Sequence, residues 1–195
     1  MIWFTSDTHF DHANILKYTN RPFSSVDEMN DVLVSNWNSL VKPGDVVYHL
    51  GDFAFHRHAE FANRLSGNIV LVEGSHDRMS AKERKAFTWV GPRHDVKVDD
   101  HEITLSHYAM RTWPKSHYGT WHLYGHSHGN LPPMGKSFDV GVDAWGLRPI
   151  SIDQVKEKMD TLPALGILLS CRPNGSMIEV VEIEDNYGID DRYSE

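Results

Sequence analysis

Short apolar runs rich in β-branched residues recur along the chain, at Ile2–Thr5, Val46–Leu50, Ile69–Val72, Ile103–Leu105, Trp121–Tyr124 and Phe138–Val142. Several are nearly continuous rather than alternating, the pattern of strands covered on both faces. Helical periodicity fills some of the gaps. Ser25-Val-Asp-Glu28 has the form of a capping box, and Met29, Leu33, Trp37 and Leu40 behind it share one helical face. Lys42-Pro-Gly-Asp45 ends that helix. Ser80-Ala-Lys-Glu83 and Ser151-Ile-Asp-Gln154 repeat the cap and predict two further helices, and His58–Leu65 predicts a shorter one. Leu165–Cys171 and Met177–Ile183 flank Arg172-Pro-Asn-Gly175, which predicts a hairpin. The sum is a mixed α/β chain with both parallel and antiparallel pairing. Residues 1–184 read as one domain and 185–195 as a polar, acidic tail.

The polar residues at the strand exits change this picture from a fold to a site. Ile2–Thr5 runs into Ser6-Asp7-Thr8-His9, and Val46–Leu50 into Gly51-Asp52. Ile69–Val72 leads to Gly74-Ser75-His76-Asp77, Ile103–Leu105 to Ser106-His107, and Trp121–Tyr124 to Gly125-His126-Ser127-His128. In α/β sheets the ligand crevice lies beyond the carboxyl ends of the strands, so such residues can converge. Taken singly, each has an ordinary reading: a helix cap, a turn, a packed histidine. Five in order do not. Carboxylates and imidazoles without a thiolate form an N/O ligand set suited to Mn²⁺, Fe, Zn²⁺, Ni²⁺ or Co²⁺. The set is too large for one tetrahedral ion but matches two ions about 3.5–4 Å apart sharing a carboxylate.

Composition narrows the class of protein. The chain has 195 residues, 13 of them histidine, and a formal net charge of −8. That charge argues against stable nucleic-acid binding and against a nuclease that needs a basic track. A single cysteine, Cys171, excludes an intrachain disulfide. The chain start lacks signal-peptide form and no apolar run is long enough to cross a bilayer, so a soluble cytoplasmic protein is expected.

The ordered set Asp7-x-His9, Gly51-Asp52, Gly74-Ser75-His76-Asp77, His107 and Gly125-His126-x-His128 resembles the calcineurin-like metallophosphoesterase superfamily, and Ser6–Ile15 resembles its small bacterial and phage branch. The motifs span about two thirds of the chain, from Asp7 to His128. The resemblance implies a four-layer α-β-β-α sandwich of two mixed sheets, with the metal site at one rim. It implies that Asp7, His9 and His128 hold one cation, that Asp52 bridges, and that His107 and His126 hold the second. His76 would assist the leaving group, and Asp77 would orient His76. A metal-activated hydroxide would attack phosphorus in a small phosphodiester or a nucleotide, with Mn²⁺ the first-choice metal.

Ser75 departs from the pattern, which has asparagine there as a second-metal ligand. A serine oxygen sits one bond closer to the backbone, so Ser75 should fall short of ligand distance and weaken the second metal. Ser75 is also the one feature that favours a different class, a catalytically degenerate binding or scaffold protein. His12, Asn14, Arg21 and Arg78 are candidate substrate contacts, the arginines because guanidinium suits phosphate oxygens. Tyr108, Trp113, Tyr118 and Trp121 are open to a stacking or a packing reading, and Asp139 and Asp143 could support the site from behind.

Overall fold

The computed structural model describes residues 1–164. The hairpin around Asn174-Gly175, Cys171 and the boundary at residue 184 lie outside the described residues. The first apolar run is β1 (Ile2–Thr5). After it come a short helix α1 (Ile15–Tyr18), a long helix α2 (Val26–Leu40) and β2 (Val46–His49). The Ser25 hydroxyl caps α2 by accepting from the Glu28 amide at 3.1 Å. Met29, Leu33 and Trp37 form the buried stripe of α2, and the backbone turns extended at Val41. Helix α3 (His58–Arg64) leads to β3 (Asn68–Val72), followed by β4 (Trp89–Gly91), β5 (Arg93–Val98), β6 (His101–Ser106) and β7 (Trp121–Tyr124). The described chain closes with β8 (Ser137–Asp139), β9 (Ile150–Ser151) and α4 (Ile152–Asp160).

Two mixed sheets result. One has the order β4-β3-β2-β1-β9, parallel except for β9; the other has the order β5-β6-β7-β8, parallel except for β5. The sheets bury Phe4, Leu50, Val70 and Val72 against Ile103, Leu105, Leu123 and Phe138. On its other face the first sheet buries Val47, Ile69 and Leu71 under Met29, Leu33, Trp37 and Phe61. This two-sided burial is why β2 and β3 read as continuous apolar runs. Each fully buried Leu, Ile, Val or Phe contributes about 1.5–3 kcal/mol. The second sheet carries Thr104 and His122 on its outer face. Trp113 packs beside His122, its ring 5.4 Å away, and the Met110 amide donates to His122 Nε2 at 3.1 Å. The expected sandwich of two mixed sheets is therefore the fold. Among the described residues, no helix is long and apolar enough to cross a membrane.

Two expectations change. The Ser80–Glu83 cap forms, with the Glu83 carboxylate accepting from the Ser80 amide at 3.0 Å, but only one 3₁₀ turn (Glu83–Ala86) follows. Thr88 already donates its amide to Ile69 at 2.8 Å, and β4 begins at Trp89, so sheet pairing takes the chain before a helix can extend. β4 and β5 also fall between β3 and β6, in a stretch without a strong apolar run. β5 is an edge strand whose residues alternate in burial, so its signal is weak.

Candidate metal centre

The chains leaving β1, β2, β3, β6 and β7 meet at one rim. Three groups of side chains bring ligand atoms within 4.8 Å of one another: Asp7, His9 and His128; Asp52, His107 and His126; and His9, Asp52 and His76. Asp52 belongs to the second and third groups and approaches His9 of the first. One of its oxygens lies 3.3 Å from His107 Nε2 and 3.7 Å from His9 Nε2. The other accepts the His76 amide at 2.8 Å.

The backbone at this rim is locally costly. Asp7, His9, Asp52, His126 and His128 all take left-handed φ, between 49° and 66°. Such residues cost about 1–3 kcal/mol each and persist only where the surroundings fix them. Here the loops after β1 and β2 are zipped together: the Asp7 amide donates to Gly51 and the His9 amide to Asp52, both at 3.0 Å. Glycines make room. A Cβ on Gly125 would sit 2.0 Å from Ser6 Oγ and 2.5 Å from Asp7 Oδ2, and one on Gly74 would sit 2.3 Å from Asp52 Oδ1.

Three histidines are held by Nδ1 and present Nε2. His107 Nδ1 lies 2.8 Å from the Leu50 carbonyl, which only a protonated Nδ1 can satisfy. His128 Nδ1 lies 2.6 Å from Asp143, and His9 Nδ1 lies 3.2 Å from His12 Nδ1. This leaves the Nε2 atoms as the ones available to a cation, the arrangement that metal-binding imidazoles use. His9 Nε2, His107 Nε2 and Asp7 Oδ1 are buried without any hydrogen-bond partner. Buried polar atoms are rarely left so, because the desolvation cost is uncompensated. Bound cations would satisfy all three, and the residues present fit divalent metal ions.

Electrostatics agree. Burial pushes the Asp7 carboxyl up to about 7. Burial also lowers His9, keeping its imidazole neutral. For Asp52 burial opposes ionisation, yet the His107 imidazole, the His76 amide and His9 together outweigh it and hold the group below the usual carboxylate range. At His107 burial lowers the group, but Asp52, Asp7 and the Leu50 carbonyl together overcome it and push the imidazole up to about 8. A clustered pair of buried carboxylates thus attracts positive charge.

The remaining candidates divide. His76 is at the open mouth, its side chain 38% exposed and its Nε2 4.0 Å from Asp52. Asp77 does not reach it as expected. Its carboxylate is buried and accepts from the Phe53 amide at 2.9 Å and the Gly74 amide at 2.8 Å, with His58 Nε2 3.5 Å away. It ties the exits of β2 and β3 together. Arg21 is likewise spent within the protein. It donates to both oxygens of Asp143 at 2.8 Å, to the Asp7 carbonyl at 2.6 Å and to the Thr8 carbonyl at 2.9 Å, so it is a strut behind the site. His12 supports His9, while Asn14 and Arg78 lie exposed. Ser75 Oγ stands 3.3 Å from both Asp52 oxygens, so its hydroxyl is turned to that carboxylate. Asp143 backs His128. Asp139 accepts from Ser127 at 2.5 Å and from the Gly129 amide at 2.9 Å, shaping the loop that carries His126 and His128.

His49 and Phe55 near the site carry no site signal in the sequence. Buried His49 bonds Thr8 through Nε2 at 3.0 Å; it lies inside a strand run, where nothing separates it from a core residue. Phe55 and Tyr108 are exposed beside the site, the Tyr108 ring 4.6 Å from that of His126. Tyr108 is open in the sequence to both a stacking and a packing reading, and its exposure here is not that of a core residue; Phe55 carries no signal beyond being apolar. Trp113 and Trp121 are buried packing residues.

No family model matches the chain. The uncharacterized protein MJ1445 of Methanocaldococcus jannaschii is 35% identical over 166 residues, spanning 79% of this chain and 88% of that protein. The Gene 66 protein of Mycobacterium phage L5 is 26% identical over 194 residues, spanning 78% of this chain and 91% of that protein. Among solved structures, a protein of unknown function from Aquifex aeolicus, AQ665, is 25% identical with a TM-score of 0.65, over 81% of this chain and 98% of that one. By its identity to the M. jannaschii protein over most of both lengths, the chain belongs to the MJ1445 family.

Proposed function

We propose that the protein hydrolyses a small phosphodiester or nucleotide at a two-cation site, with Mn²⁺ as the first-choice metal. The observation that carries this reading is Asp52, which groups with His107 and His126 and approaches His9 of the Asp7-His9-His128 group. Divalent cations bound there would supply positive charge for phosphoryl oxygens and a more acidic water. The chain does the rest. Asp7, His9, Asp52 and His107 are buried and fixed, so little reorganisation is needed when substrate arrives. His76, half-open at the mouth, carries a proton at Nε2 to the departing oxygen. Arg21 and Asp143 hold His128 in one orientation, and Asp77 holds the loops.

Ser75 favours a second reading, a metal-binding protein without turnover, because its hydroxyl is turned to Asp52 and sits one bond nearer the backbone than an asparagine oxygen would. The test is hydrolysis of p-nitrophenyl phosphate and bis-p-nitrophenyl phosphate with added Mn²⁺. Turnover that drops at least about a hundredfold in His76→Ala supports the enzyme. Background release that His76→Ala does not change, across Mn²⁺, Zn²⁺, Ni²⁺ and Co²⁺, selects the binder.

A further inference from the structure

Phe10, Phe53 and Phe55 come from two adjoining loops, yet only the first two are buried; both are 0% exposed, while Phe55 is 43% exposed. The Phe55 ring is not loose. Its amide donates to the Phe10 carbonyl at 2.8 Å, next to a bridge between Phe10 and Ala54. The His12 ring stacks on it at 4.8 Å with an interplanar angle of 16°. His12 is in turn fixed by His9, so a rigid two-ring layer stands on the floor of the metal centre. Tyr18, 73% exposed, lies edge-on to His12 at 6.2 Å. The His76 ring is 5.9 Å from Phe55 and 5.3 Å from His12, so this layer borders the mouth on the His76 side.

From this juxtaposition we infer that Phe55, backed by His12, is a stacking wall for a planar ring carried by the substrate, and that the substrate class is a nucleotide or another ester bearing a flat heterocycle. The inference rests on the phosphoesterase reading. With a phosphoryl group at Asp52 and His76, a sugar crosses the gap and the base lies on Phe55. Every base has a π-face, so the wall selects rings over bare sugars but does not distinguish one base from another.

The test compares two monoesters at the 5-hydroxyl of ribose, adenosine 5′-monophosphate and ribose 5-phosphate, which carry the base and a hydroxyl, respectively, at C1. Dissociation constants are measured by calorimetry on the full chain with Mn²⁺ present. The wild type should bind the nucleotide roughly tenfold more tightly than the sugar phosphate, the scale of one stacking contact. Phe55→Ala should erase that advantage and leave ribose 5-phosphate unchanged, and Phe55→Tyr should keep it. Tyr118→Ala, which removes an exposed ring on the Trp113–Trp121 loop, should leave it intact. Equal affinities in the wild type, or an advantage that survives Phe55→Ala, would overturn the wall while leaving the phosphoesterase reading standing. Failure of both ligands to bind would sink the two together.

Discussion

Removing the Asp143 carboxylate should damage the protein twice, once in stability and once in metal affinity. The Arg21 side chain is 1% exposed and that of Asp143 is 11% exposed; the pair shares two hydrogen bonds of 2.8 Å. Asp143→Ala strands a buried guanidinium that keeps only two carbonyls and a methionine sulfur as partners. Breaking a buried pair from one side costs about 3–5 kcal/mol, and the partial exposure of Asp143 puts the expectation at about 3 kcal/mol. A domain of ordinary stability, about 5–15 kcal/mol, survives that loss. The second effect runs through His128, whose Nδ1 loses its 2.6 Å partner. Its ring is then free to rotate and to change tautomer, and losing such a partner typically lowers metal affinity about ten- to hundredfold. Urea unfolding without metal reads the first effect, and Mn²⁺ titration by calorimetry reads the second. Adding Arg21→Met to Asp143→Ala should recover part of the stability, because the stranded charge is gone, but none of the metal affinity. A stability loss under about 1 kcal/mol together with unchanged Mn²⁺ affinity would refute the strut that links Arg21, Asp143 and His128.

Other expectations are simpler to check. Ser75→Asn extends the side-chain oxygen by one bond and should tighten the weaker of two Mn²⁺ binding steps and raise turnover of bis-p-nitrophenyl phosphate, both readable on one preparation. Gly125→Ala must push its Cβ into Ser6 and Asp7 and should cost several-fold in metal affinity by metal titration, whereas Gly119→Ala, with nothing within 4 Å of the new Cβ, should affect stability through its positive φ alone. Asp45 is held down to about 2 by the Met1 amine, the Lys42 amide and Trp3 Nε1. Its carboxylate therefore stabilises the fold above about pH 4, and that contribution disappears as pH falls through about 2. Asp45→Asn should lower stability at pH 6 and flatten this acid limb in urea unfolding, and an acid limb identical to wild type would contradict the assignment.

Strands β1 and β7 and the start of α2 are legible in the sequence because local signals there agree with burial: continuous apolar runs where both faces are covered, and a serine cap ahead of a helical stripe. The metal ligands are legible for a related reason. Carboxylates and imidazoles placed just past strand ends have few roles other than turns and sites, and their order carries information that no single residue does. Ser80–Glu83 marks the limit of local signals, since a formed cap yields one turn once Thr88 and Trp89 pair with β3. Asp77 and Arg21 mark another. Their types fit catalysis or phosphate binding, but only folding reveals that two amides consume one and a buried carboxylate with two carbonyls consumes the other. The left-handed backbone at five ligand positions, the Nδ1 partners that free three Nε2 atoms, and the Phe55 ring left outside the core are likewise products of long-range packing. The sequence by itself determined which chemical groups gather at the rim, because strand ends position them locally. The tertiary structure alone decided which way each group faces, because contacts from more than a hundred residues away, such as Arg21 with Asp143, set hydrogen-bond partners that no local pattern encodes.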